Sequence, residues 1–389
     1  MSMMTYDEIK LRMDQLYDII VQGEDQLLKI LQKTETYKTA KSEIQKSLHC
    51  LQHIDKQAEY LAKDSLTTLC VFLPLNQPLY SLILFVVIPG CRFYETYFRP
   101  PVLLQTIYEE LYGFLELQKF GIFCNSITRR QFLFKRVSCA NAIIYTGKYE
   151  NSLEVMAKIP HNAVFIYQGS ATNPIVITES ATITDELIEK VVGAQIYNSG
   201  QDCMAPAAIL VSANHWQNFL NRLETQLRRL KIGSYNCADA DVSFAIEPIT
   251  VENAEYLIHH TKAKLLYGGS IDKETMLVYP TILRFAHVSD LPYASSFSPV
   301  FSLYCYSNEQ EVTEYLSRLE CRENRAYVSV FGKLSKNLDD EIIIMDDTLD
   351  SVDDGYSEFG GYGIRSGYIA HENSIVAHPI LISKELAMF

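Results

Sequence analysis

Apolar residues in the first part of the chain recur three and four positions apart: Ile9, Met13, Leu16, Ile19 and Ile20, then Leu27, Leu28, Ile30 and Leu31. That spacing predicts two or three amphipathic helices over about residues 5–65, a stretch with no proline and one glycine, Gly23. From about residue 69 the texture changes. Short apolar runs at 69–73, 141–145, 163–167, 174–177 and 207–211 read as buried strands. Helical segments at 102–117, 184–197 and 216–230 alternate with them. Thr184 stands at an N-cap position, with Asp185 and Glu186 in the first turn behind it. Strands alternating with helices of this length predict an α/β architecture with parallel sheets.

Composition narrows the function classes. A chain of 389 residues, 48% hydrophobic and 21% charged, is long enough for two domains with ample cores. A formal net charge of −13 opposes a phosphate backbone and argues against a nucleic-acid partner. The densest basic run, Arg228-Arg229-Leu230-Lys231 with Arg222 before it, reads as a solvated helix face. Nine cysteines, odd in number and without CxxC spacing, argue against a disulfide framework and a structural zinc, and fit a reducing, cytoplasmic setting. No metal site is expected; His371 and His378, alone near the end, read as surface or packing residues. No secretory signal opens the chain, and the most apolar stretch, residues 79–89, is too short to span a membrane. The acid-rich stretch 339–354 is expected to include a solvated loop before the glycines at 360.

The segment that carries chemistry is Asn198-Ser199-Gly200-Gln201-Asp202-Cys203-Met204-Ala205-Pro206, between a predicted helix and a predicted strand. Gly200 permits a tight backbone approach, and a thiolate on such a loop attacks a carbonyl carbon well. Taken alone, a loop cysteine is more often inert than reactive. The segment resembles the Asn-x-Gly-Gln-x-Cys loop of the aldehyde dehydrogenase superfamily, and the following x-Ala-Pro resembles its short, class-3-like branch. Other pieces follow in the family's order. Phe72-Leu73-Pro74-Leu75-Asn76-Gln77-Pro78 resembles the Pro-Trp-Asn-x-Pro loop, Ile144-Tyr145-Thr146-Gly147 the Phe-Thr-Gly-Ser turn, and Asn173-Pro174 the end of Glu-Leu-Gly-Gly-Lys-Asn-Pro. Tyr267-Gly268-Gly269, Pro280-Thr281-Ile282-Leu283, Phe297-Ser298-Pro299-Val300, Phe359-Gly360-Gly361 and Ser366-Gly367 complete a resemblance that covers about residues 65–380.

The resemblance implies a Rossmann-type cofactor domain and an α/β catalytic domain behind the helical segment. The expected division is 1–168 for helices and the NAD(P)-binding-type domain, 169–360 for the cysteine domain, and 361–389 for a tail that reaches a second subunit in a homodimer. It also implies NAD or NADP as cofactor and a small aldehyde or acyl thioester as substrate. Cys203 would attack the aldehyde, and the Asn76 amide with the Cys203 backbone N–H would hold the oxyanion. Thr146, Gly147 and Lys148 would lie along the cofactor, Arg99 would stand where the family places a lysine on the adenosine ribose, and Ser295 and Phe297 would lie at the nicotinamide end.

Three departures from the family's pattern matter. The general-base glutamate aligns with Gln168, whose neutral amide orients water but takes no proton at neutral pH. The glutamate that holds the nicotinamide ribose aligns with Ser295. Lys148-Tyr149-Glu150 replaces the serine and glycine after Gly147, which brings a carboxylate toward a pyrophosphate. The N-terminal region is also shorter than the family's, so early strands of the cofactor domain are candidates for loss. Three functions fit: a dehydrogenase for a specialised aldehyde, a CoA-acylating or acyl-thioester-reducing enzyme, and a catalytically silent scaffold.

Overall fold

A computed structural model describes residues 4–63, 66–335, 338 and 342–389. The chain opens with helices α1 (Tyr6–Gln22), α2 (Glu24–Leu31) and α3 (Tyr37–Gln52). Thr5 and Glu8 close a capping box at the start of α1, and the Thr36 hydroxyl caps α3. The apolar stripe of α1, Ile9, Met13, Leu16 and Ile20, is buried as its spacing predicts.

Five parallel strands follow: β1 (Leu66–Phe72), β2 (Phe93–Arg99), β3 (Ile122–Cys124), β4 (Ala142–Thr146) and β5 (Val164–Gln168). They lie in the order β3-β2-β1-β4-β5. Strands β2 and β3 were not anticipated. Glu95 interrupts the first run, and the second is only three residues long. The tail returns to this same sheet: Gly367–His371 pairs antiparallel with β5, and Ser374–Val376 forms the outer edge.

The second sheet runs Ile343–Met345, Val328–Phe331, Ile175–Ile177, Ile209–Ser212, Val300–Tyr306, Thr281–Phe285 and Lys264–Tyr267, parallel except for the last strand. Both sheets are covered on both faces. In β1, Leu69 and Val71 enter one core while Cys70 and Phe72 enter another. In the second sheet Val176 faces one core, and Ile175 and Ile177 the other. Burial on both faces explains why these strands read as continuous apolar runs rather than as alternating ones.

The helix expected over 102–117 starts with a 3-10 turn, Val102–Leu104, and continues as Gln105–Phe114. The run 79–89 is a fully packed helix with a π-helical centre at Ile83–Val87. Among the described residues no helix is long and apolar enough to cross a membrane. The basic run near 228 is tied up in pairs: Arg228 with Glu224, Lys231 with Asp239, and Arg222 with Asp185. Asp339, Asp340 and Glu341 of the acid-rich stretch lie outside the described residues, but Asp353 is not solvated. Its side chain keeps only 7% exposure, because Lys46 and Tyr80 hold it against the helices.

Candidate active site

The cysteine loop hangs between helix Asp185–Ile196 and strand Ile209–Ser212. Asn198, Ser199 and Gly200 all take positive φ, which turns the chain sharply before Cys203. At Gly200 the turn demands glycine, for φ is +80° and an added Cβ would run into the Ser298 carbonyl and come within 2.8 Å of the Pro299 nitrogen. That close approach seats the cysteine loop on the Phe297-Ser298-Pro299 segment, where Phe297 also has positive φ. Gln195 donates to the Ser298 carbonyl at 3.1 Å. Gln201 accepts from the Ile246 N–H and donates to the Phe244 carbonyl. The Asn173 amide donates to the Cys203 carbonyl at 2.9 Å. The loop is thus held by backbone-directed hydrogen bonds on several sides.

Asn76 lies at the carboxyl end of the first sheet, in the turn between β1 and helix Pro78–Leu82, and it is half-buried. Its neighbour Gln77 has φ of +49° and donates to the Asp202 carboxylate at 3.0 Å. This bond ties the Asn76 turn to the cysteine loop across the two sheets. Neither Gln77 nor Asp202 was singled out in the sequence; both sit at positions where the motif leaves the residue type open.

The environment of Cys203 is acidic. The residue keeps partial exposure, but Asp202, adjoining it, is 1% exposed. Burial pushes the Cys203 thiol well above its usual range, and the Asp202 and Asp353 carboxylates push it further. Burial raises Asp202 to about 6, opposed by the Met204 N–H and by Lys46. Lys46 pairs with Asp350 at 2.6 Å and Asp353 at 3.2 Å, and lies over the rings of Tyr80 and Tyr197. Tyr80 donates its hydroxyl to Asp353 at 2.8 Å.

Two further carboxyl groups stand behind the Asn76 turn. Glu35, between α2 and α3, accepts from the Gln77 N–H at 3.2 Å, and Glu43 of α3 accepts from the Tyr80 N–H at 2.9 Å. They are 1% and 0% exposed, and the second oxygen of each is buried without a hydrogen-bond partner. The two carboxyl groups act on each other electrostatically in the same buried space. Burial raises both, Glu43 to about 7. A sequence signal existed: Glu43 falls on the buried face of α3 with Thr39, Ala40, Ile44, Ser47, Cys50 and Leu51.

The remaining candidates divide into two groups. Gln168 ends β5, pairs in register with Thr146, and lines a small cavity of about 30 Å³ with Asp353, Gly355 and Phe359. Asp353 lines this cavity with Gln168, and its charge also acts on the Cys203 thiol. Thr146 spends its hydroxyl on the Phe72 carbonyl at 2.8 Å, Gly147 has φ of +138°, and exposed Lys148 precedes helix Tyr149–Met156. Glu150, in the first turn of that helix, is drawn into an ion pair with Arg365. Ser295 uses its hydroxyl locally, accepting from the Phe297 N–H at 3.2 Å. Arg99 closes β2, two strands away from Thr146, and donates from Nε to the Ile127 carbonyl at 3.0 Å. No cluster of three metal-ligating side chains occurs among the described residues.

Residues 135–326 match the aldehyde dehydrogenase family. A lactaldehyde dehydrogenase of Methanococcus aeolicus is 27% identical over 166 residues, which is 42% of this chain and 35% of that protein. The dimeric NADP-preferring aldehyde dehydrogenase of Canis lupus familiaris is 23% identical over 180 residues, 46% of this chain and 39% of that one. The matched segments thus span little more than a third of these relatives. Solved structures agree over more of the chain. Succinic semialdehyde dehydrogenase from Streptococcus pyogenes, in complex with NADP+ as the cofactor, superposes with a TM-score of 0.81 at 18% identity, covering 97% of this chain and 90% of that one. An NADP-dependent enzyme of E. coli gives 0.79 at 14% identity, covering 96% and 86%. The chain thus shares the fold of these solved structures, and over residues 135–326 it is similar to the aldehyde dehydrogenase family.

Proposed function

We propose that this protein binds a nicotinamide dinucleotide and oxidises a small aldehyde, with Cys203 as nucleophile. The observation that carries this reading is the Gln77–Asp202 bond, which brings the Asn76 turn and the Cys203 loop together. In this arrangement the sulfur attacks the carbonyl carbon, forming a C–S bond while its proton passes to a base. Asp202 is the base we assign: it adjoins the thiol, and burial raises it to about 6, so it is ionised yet basic at neutral pH. The Asn76 amide, with the Cys203 N–H, receives the oxygen as it gains charge. The dinucleotide, when bound, supplies the hydride acceptor that converts the adduct to a thioester.

The residues present fit such a cofactor at its phosphate end. Gly147 leaves the backbone open before helix Tyr149–Met156, and Arg365 offsets the Glu150 charge that would oppose a pyrophosphate. Ser295 offers less to a nicotinamide ribose, since its hydroxyl is already bonded within its own turn. Met204-Ala205-Pro206 favours the class-3-like branch. The open edge strand Ser374–Val376 is where we place a second copy in a homodimer.

Gln168 favours a second reading, in which a thiol such as coenzyme A, rather than water, takes the acyl group. A thiolate needs no general base to attack a thioester. The decisive experiment follows NAD(P)H formation from short aldehydes with and without coenzyme A, in the wild type and in Cys203→Ala. Turnover without coenzyme A that Cys203→Ala abolishes supports the first reading; strict dependence on coenzyme A supports the second. Turnover retained in Cys203→Ala removes this residue from the mechanism. If neither NAD nor NADP raises the melting temperature, both readings fail and a silent scaffold remains.

A further inference from the structure

We infer that Glu35 is a positioning residue for the oxyanion: by holding Gln77 in its left-handed turn, it aims the Asn76 amide at the carbonyl oxygen. The inference rests on the reading above, in which Asn76 and the Cys203 N–H receive that oxygen. Gln77 has φ of +49°, a conformation that a residue with a Cβ keeps only where its surroundings impose it. Here it is gripped on several sides. The Glu35 carboxyl group accepts from the Gln77 N–H at 3.2 Å, and the Gln77 side-chain amide donates to Asp202 at 3.0 Å. The Gln77 carbonyl accepts from the Ser81 N–H at 2.9 Å, and the Ser81 hydroxyl donates to the Asn76 carbonyl at 3.3 Å. The peptide between Asn76 and Gln77 is therefore held at both polar atoms, its N–H by Glu35 and its carbonyl by Ser81. The plane of that peptide fixes the direction in which the Asn76 side chain leaves the backbone.

Glu35 differs from an ordinary turn cap. It comes from the link between α2 and α3, 42 positions before Gln77, and it is buried. Its second oxygen finds no partner there. Glu43 has the same defect and accepts from the Tyr80 N–H at 2.9 Å, so two carboxyl groups grip the chain on either side of Pro78. A carboxyl group buried with one oxygen unpaired is costly, and a neutral amide or hydroxyl would satisfy the same N–H at less cost. That cost falls at the turn whose aim matters most for the proposed chemistry. An oxyanion donor works only when it points at the place the charge will occupy, and a misplacement of about 1 Å can slow a reaction by about 10²-fold.

The test compares two reactions of Cys203 in the full chain. With p-nitrophenyl acetate the sulfur adds to the carbonyl, an oxyanion forms, and p-nitrophenolate leaves as the acetyl thioester is made; the thiol proton passes to Asp202. With iodoacetamide the sulfur displaces iodide and no oxyanion forms. Glu35→Met, close in size but without an acceptor, should slow acylation at least about tenfold and leave alkylation near the wild-type rate. Glu35→Gln, which keeps an acceptor oxygen, should restore most of the acylation. Glu35→Asp, shorter by one methylene, should slow acylation as well, and it stands in if Glu35→Met does not fold. Acylation at the wild-type rate in the folded variant overturns the inference. Equal slowing of both reactions also overturns it, since a loosened loop alone would produce that. Asn76→Ala keeps the two possible failures apart. If it slows acylation on the order of 10²-fold while the Glu35 variants do not, this inference alone falls. If Asn76→Ala is acylated at the wild-type rate, or the wild type is alkylated but never acylated, the proposed function falls with it.

Discussion

At Cys203, negative charge from Asp202 and Asp353 works against a resting thiolate. On the proposed reading the sulfur needs a proton acceptor at the moment of attack, the role we propose for Asp202. With Asp202 raised to about 6, its ionised form is lost as pH falls through that value. Lys46, Asp353 and the thiol itself are the other charged or titratable groups that face it. Aldehyde turnover should accordingly rise with pH through about 6 and level off above. In Asp202→Asn this acid limb should vanish from the kcat/KM profile, while iodoacetamide should alkylate Cys203 faster near the alkaline end, because a carboxylate that holds the proton is gone. A limb unchanged in the variant would assign the base elsewhere. Gln168→Glu offers a second test at this scale. Restoring a carboxylate at the end of β5 should speed hydrolytic release by roughly 10²-fold, the usual scale of general-base assistance, seen as a higher steady-state rate where release limits. An unchanged rate under that condition would mean that Gln168 does not face the acyl group.

The elements that carry these residues depend on a few backbone positions. Gly200 is the sharpest case. Replacing it with alanine forces a side chain into the left-handed region, which costs roughly 1–2 kcal/mol by itself, and drives a methyl group into Ser298. Gly200→Ala should therefore lower the urea midpoint and change the alkylation rate of Cys203; a variant with wild-type values of both would show that the loop tolerates another path. Much at this scale was legible in the chain. The buried strands at Ala142–Thr146, Val164–Gln168 and Ile209–Ser212 appear within a residue or two of their predicted runs, and the Thr184 hydroxyl caps its helix as expected. Strands β2 and β3 escaped because one carries a charged residue at its centre and the other is too short to show a period.

Across the whole molecule, the helical segment does more than cover a sheet. Its Glu35 and Glu43 reach the backbone of the Asn76 turn, and Lys46 reaches Asp353. Glu43 holds its proton up to about 7 in the folded chain against an ordinary value of 4.5. The folded state thus binds more protons than the unfolded state between these values, and stability falls as pH rises across that window. The slope for one such proton is about 1.4 kcal/mol per pH unit. Glu35 and Asp202 are raised as well and act in the same direction, while Lys46 opposes them at Glu43. Urea midpoints should be higher near pH 5 than near pH 7.5, and Glu43→Gln should reduce the difference. A variant as pH-sensitive as the wild type would place the titrating group elsewhere.

The chain by itself determined where helices and buried strands lie, because periodicity and apolar runs are local properties. It also determined that Cys203 sits on a glycine turn, because that turn is written in consecutive residues. Only the tertiary structure decided the charge around the sulfur. Asp202 acquires its basicity from burial, Asp353 arrives from 150 positions away, and the Glu35–Glu43 pair comes from helices that read as plain packing. Electrostatic effects act through space and depend on how much water remains, and neither quantity exists until the two sheets and the helical segment have closed on one another.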